Sequence, residues 1–192
     1  MEALNKMVIW NNAGVSFNIE TVRCIGGKAL GLHELKSLGI HVPAWATITS
    51  SMFKQACVSD KQMTRLLAQE NIQPQEKATL IRGYLKNITL DDTYQKALAE
   101  VWNKISNEGK ISVAVRSSAA DEDSKILSFA GQMDSFLNIR SLEAFLQAIR
   151  GCWASLFGER AVLYRIQHGI NPWDAQIAVI NNKLKLKILQ SL

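Results

Sequence analysis

The sequence is poor in the residues that cross-link or ligate. Its 192 residues include only three cysteines and three histidines. Cys24, Cys57 and Cys152 stand far apart with no Cys-X-X-Cys spacing, which excludes a disulfide framework and a zinc site, so they read as ordinary reduced thiols. His33, His41 and His168 share no ligand or catalytic spacing and read as structural or surface residues. No apolar run reaches the length of a membrane span, and residues 1–20 lack the continuous apolar stretch of a signal peptide, so the cytoplasm is the default. There is no block of lysine and arginine interleaved with aromatics. The net charge of +5 therefore admits an anionic ligand without indicating a nucleic-acid groove. Internal repeats and low-complexity linkers are also missing.

What remains is 47% hydrophobic and 20% charged, a balance suited to one globular domain or one large piece of a bigger enzyme. The stretch "CIGGKALGLHEL" puts two glycines and a lysine before a helix in which Leu30, Leu32, Leu35 and Leu38 keep roughly helical spacing. Gly39 is a natural end for it, and "IHVPAWATIT" reads as a strand. Residues 50–106 read as consecutive helices, with Ser59 or Asp60, Pro74, and Asp91 or Asp92 as starting signals. Ala97, Leu98, Val101, Trp102 and Ile105 form a core-facing stripe on the last of them. "ISVAV" reads as a buried strand that delivers Arg116 at its end, followed by the polar loop "SSAADEDSK". "SFAGQMDSFLNI" alternates as a hairpin partner for that strand. Ser141 can cap a long helix bent near Gly151 or Gly158 and ended by Gly169, and "AQIAVI" opens another strand.

Two side chains suit a phosphate. Lys28 stands beside the glycine pair at a helix N-terminus, whose unpaired N–H groups and partial positive charge favour anions. Arg116 offers a planar fork of donors. The same residues also fit a plain turn before a helix, and each could pair with a nearby carboxylate. A Walker A loop is excluded because Val22 stands where it needs glycine and Ala29 where it needs serine or threonine. A GxGxxG fingerprint fails because Lys28 follows two places after Gly26. Glu122 and Asp123 could bind Mg²⁺ in principle, but acids in a serine-rich loop are usually solvated.

Taken together and in order, "IGGKALGLHELKSLGIHVPAWATIT", "VAVRSSAADEDSKILSFAGQMDSFLNI" and "CWASLFGERAVLYRIQHGI" resemble the N-terminal nucleotide-binding region of phosphoenolpyruvate synthase, pyruvate phosphate dikinase and rifampicin phosphotransferase. The resemblance covers residues 26–180. It implies an α+β fold of the ATP-grasp type, with mixed small sheets and several helices, in which ATP lies between two subdomains. Lys28 and Arg116 would contact the phosphates, and Ser128, Ala130, Gly131 and Gln132 would belong to a loop covering them. In the family, ATP is cleaved to AMP and phosphate while a phosphoryl group passes to a histidine on a swivelling domain and then to pyruvate.

The sequence departs from the family in length. The second ATP-grasp half, with its adenine pocket and Mg²⁺ carboxylates, is not found here, nor is the Thr-Ser-His motif of the swivelling domain. Residues 1–180 read as an incomplete ATP-binding region and residues 181–192 as a divergent tail. In that tail Lys183, Lys185 and Lys187 alternate with Leu184, Leu186 and Ile188 as in an edge strand rather than a membrane-surface helix. The expectation is weak ATP binding without turnover, with a second polypeptide supplying the missing domains. Alternatives are a non-catalytic module or gene remnant, and part of an antibiotic phosphotransferase.

Overall fold

The computed structural model describes residues 7–14, 18–119 and 133–183. Five strands make one sheet: β1 (Val8–Trp10), β2 (Trp45–Ile48), β3 (Val113–Ala119), β4 (Ser135–Ile139) and β5 (Ile177–Lys183), in the order β1-β2-β5-β3-β4. Each neighbouring pair is antiparallel. The architecture is thus α+β, but with a single sheet among the described residues where several small ones are expected from the sequence. β4 is the hairpin partner of β3, and β5 is central, pairing with β2 on one side and β3 on the other. β5 runs unbroken past residue 180, with Asn181 opposite Ala46 and Val115. Residues 184–192 lie outside the described part.

The sheet carries unequal layers. One face holds the main core, where α3 (Ser50–Phe53), α6 (Asp92–Ser106) and α7 (Leu142–Ser155) meet the strands. α4 (Lys61–Leu67), α5 (Pro74–Asn87) and α8 (Glu159–Gln167) complete that layer, in which Phe53, Trp153, Phe145 and Phe157 are fully buried. Burying side chains of this size stabilises the fold by about 2 kcal/mol or more apiece. The stripe on α6 faces this core as expected, with Leu98, Val101, Trp102 and Ile105 buried. Among the described residues the other face is covered only by α1 (Ile19–Ile25) and α2 (Gly27–Ser37), over a small cluster of Ile9, Cys24, Ile25, Ala29, Trp45 and Ile180.

Helix ends follow their local chemistry. Ser141 caps α7, accepting from Ala144 N at 3.2 Å, but the expected long helix breaks completely at Gly158, which precedes α8. Gly151 stays inside α7, and a Cβ there would lie 2.4 Å from the Phe136 ring. α1 is not evident from periodicity; Asn18 caps it by accepting from Thr21 N at 2.8 Å. α2 ends in a left-handed Gly39 (φ +76°), with Gly39 N donating to Lys36 O and Ile40 N to Leu35 O.

Asp60 is the cap that joins two helices. Its Oδ1 accepts from Gln62 N (2.7 Å) and Met63 N (3.2 Å) at the start of α4, and from the Tyr84 hydroxyl of α5 (2.5 Å). The Tyr84 bond, followed by the backbone donors, holds the Asp60 carboxyl below its ordinary value of 3.8. A depressed carboxylate contributes stability above pH 3.8 that disappears as pH falls through the folded-state value. Tyr84→Phe should move the Asp60 titration, followed by NMR, back toward 3.8. It should also lower stability at pH 7 by about 1 kcal/mol in urea unfolding. An unmoved titration would contradict this.

Candidate functional site

Lys28 enters through the junction of two helices. α1 stops at Gly26, whose φ of 75° and ψ of 166° turn the chain so that α2 begins at the next residue. At that point the backbone rests directly on β3: a Cβ on Gly26 would lie 2.1 Å from Ser118 O and 2.4 Å from Ser118 Oγ. Glycine is needed here twice, for the left-handed φ and for the close approach. Ala29 N donates to Ser118 Oγ at 3.3 Å, so a β3 serine serves one of the amides in the first turn of α2. Lys28 Nζ donates to Ser117 O at 3.1 Å, which fixes the ammonium against the strand.

Arg116 departs from the sequence expectation. It does not end a strand before a polar loop; it lies mid-strand, with Ser117, Ser118 and Ala119 continuing β3 opposite Val179, Ala178 and Ile177 of β5. The reason is space. Ser117, Ser118 and Ala119 are fully buried, and at Ser118, against which Gly26 rests, only a side chain of that size fits beneath the N-terminus of α2. Arg116 itself is the one exposed position in a strand otherwise buried.

Lys28 and Arg116 line the same cavity, about 330 Å³ in volume. Its other walls are apolar, from Leu32 and Leu35 of α2 and from Val42, Pro43 and Ile180, with Asn182 at one side. The leucine spacing marks a helix as expected, on which Leu35 and Leu38 are 41% and 75% exposed while Ala29 and His33 make the buried face. Asn182 carries no motif and comes to the cavity through β5–β2 pairing, which periodicity cannot reveal. His33 packs edge-on against Trp45, ring centroids 5.1 Å apart. Burial, and then the charge of Lys36, lower its pKa, so it is a neutral packing group as its lack of ligand spacing suggested. His41 and His168 are exposed.

Ser128, Ala130, Gly131 and Gln132, and the acids Glu122 and Asp123, lie outside the described residues. Among the described residues no group of three or more His, Cys, Asp and Glu side chains could hold a metal ion. No described helix is long and apolar enough to cross a membrane.

A cationic pair at a glycine-led helix start, above an apolar wall, is suited to a phosphorylated ligand with a flat or apolar body. Comparison with known families agrees: residues 22–184 match the model described as "Pyruvate phosphate dikinase, AMP/ATP-binding domain". The chain belongs to this family. Its AMP/ATP-binding description supports ATP as the ligand. Rifampicin phosphotransferase of Bacillus subtilis (strain 168) is 35% identical over 168 residues, covering 83% of this chain and 19% of the relative. Phosphoenolpyruvate synthase of Aquifex aeolicus (strain VF5) is 31% identical over 188 residues, covering 90% and 22%. A probable phosphoenolpyruvate synthase of Methanocaldococcus jannaschii is 31% identical over 170 residues, covering 83% and 14%. The chain thus spans about a fifth of the length of the curated relatives it matches.

Because a Cβ at Gly26 would clash with Ser118, Gly26→Ala should lower unfolding stability by on the order of 3 kcal/mol. Gly83→Ala, at an open position on α5 with nothing within 4 Å, should instead raise it by about 0.5 to 1 kcal/mol. Urea unfolding of both variants checks this, and a Gly26→Ala protein as stable as the wild type would contradict it.

Proposed function

We propose that this chain forms one wall of an ATP-grasp-type site and supplies the ATP-binding part of a phosphoenolpyruvate synthase-like phosphotransferase. The observation that carries the reading is the convergence of Lys28 and Arg116 on one cavity beside a glycine-led helix start. In this reading Lys28 and Arg116 neutralise the triphosphate, and Ser128, Ala130, Gly131 and Gln132 form the loop over it, with Gly131 allowing close approach. Residues 1–180 are the ATP-binding region and 181–192 a divergent tail. The chain works in the cytoplasm, with a second polypeptide or further sequence supplying the opposite wall, the phosphohistidine and the acceptor site.

In that wall's absence the charges face water, where each contact is weaker than inside a closed cleft. Lys28 and Arg116 act by orienting the phosphates and neutralising their charge, which is the larger part of what a protein does for phosphoryl transfer. Mg²⁺ accompanies ATP in such chemistry, but the described side chains do not make a set that fits it. Its carboxylates belong to the opposite wall in this reading.

A second reading rests on the relatives. One matched relative is named for rifampicin and another for phosphoenolpyruvate. This region holds the donor nucleotide and not the acceptor, so antibiotic phosphorylation fits the same geometry.

Calorimetric titration of the 192-residue chain with ATP and Mg²⁺ tests the proposal. A Kd on the order of 1 mM, about −4 kcal/mol, is expected. Lys28→Ala and Arg116→Ala should each weaken it about tenfold, the loss of one charge-assisted bond. No AMP should form. Absence of binding, or binding indifferent to both substitutions, would overturn the proposal, and AMP formation would overturn the expected inactivity.

A further inference from the structure

A second cavity, of about 530 Å³, shares no lining residue with the first. It lies where α1, α3 and the segment before β5 meet, and its lining includes Glu20, Arg23, Ser50, Lys54, Gln55 and Gln176. We propose that it binds a small organic phosphate, with the phosphate held between Arg23 and Lys54.

Three observations carry this. The first is charge: two cations and one carboxylate line the recess, and among the described residues no hydrogen bond or ion pair engages the Arg23 guanidinium or the Lys54 ammonium. With one carboxylate against two cations the recess keeps an excess of positive charge, which a bound anion neutralises. The second is backbone geometry. Lys54 and Gln55 begin a π-helical turn, Lys54–Val58, and such wide turns are rare and recur at functional sites. The third is a fixed floor. Ser50, 4% exposed, places its Oγ 3.0 Å from Arg23 O and 3.3 Å from Gln176 Oε1, tying the last turn of α1 to α3 and to the approach of β5.

Size sets the ligand class. The recess is much larger than one phosphate and within the range of small-molecule sites. Beside the charged groups its lining offers the hydroxyls of Ser50, Ser51 and Ser59, the amides of Gln55 and Gln176 and the Cys24 thiol, which suit a hydroxylated body. Arginine provides the bidentate fork and lysine the point charge that a phosphate monoester accepts.

The test is an amide-resolved NMR titration of the full chain with inorganic phosphate and with glycerol 3-phosphate. It compares the wild type with two double variants, Arg23→Ala/Lys54→Ala and Lys28→Ala/Arg116→Ala. Arg23 and Lys54 are exposed, so their replacement leaves the core untouched. The expected result is shifts at residues 23, 54 and 55 in the wild type, preserved when Lys28 and Arg116 are removed. These should weaken at least tenfold in the Arg23/Lys54 variant, and glycerol 3-phosphate should bind more tightly than phosphate. Shifts confined to the surroundings of Lys28 and Arg116, or wild-type affinity in the Arg23/Lys54 variant, would overturn the site. Equal affinity for the two probes would overturn the assignment to an organic phosphate. Loss of ATP binding in the Lys28/Arg116 variant alone leaves this site standing, which separates it from the nucleotide proposal.

Discussion

The candidate site depends on one close contact, the backbone of Gly26 lying against Ser118. A side chain at either partner larger than those present would force α2 away from β3, since the space at Gly26 is already less than a methyl group requires. From that contact the rest follows by short covalent distances. Lys28 is two residues from Gly26, Arg116 two residues from Ser118, and both consequently face one cavity. The contact is further tied by Ala29 N to Ser118 Oγ and by Lys28 Nζ to Ser117 O, so the lysine is oriented by the strand that presents the arginine.

The unequal coverage of the sheet explains why the cavity is where it is. One face is filled by the aromatic and aliphatic core beneath six helices and stays dry. Among the described residues the other has only α1 and α2, and these leave Arg116 and Asn182 uncovered. A cation mid-strand would be prohibitive on the first face, where burying an unpaired charge is expensive. On the second face Arg116 lies exposed to solvent. Leu35, 41% exposed, adds to the apolar wall beside the cations.

Much of the helical layer was legible in the sequence because its signals are local. Asp60, Pro74 and Ser141 start helices where they stand, Gly39 and Gly169 end them in left-handed turns, and the α6 stripe points inward. The β3–β4 hairpin was legible from alternation. The errors came where tertiary packing overrides local pattern. Ser117 and Ser118 after Arg116 look like loop residues, yet both are buried strand residues, and Ser118 lies beneath α2 where only a small side chain fits. The leucine spacing of α2 marks a helix but not its buried face, which is made by Ala29 and His33. Lys28 and Arg116 were identified as phosphate candidates from residue type and family resemblance. The amide in the lining of their cavity was not, because Asn182 comes to it only through strand order.

The central claim is that Lys28 and Arg116 act on one ligand. It is tested most directly by a crystal structure of the chain soaked with a non-hydrolysable ATP analogue. The account predicts triphosphate oxygens within hydrogen-bond distance, about 2.7 to 3.2 Å, of both Lys28 Nζ and the Arg116 guanidinium. A nucleotide bound elsewhere, or one whose phosphates meet neither cation, would contradict it.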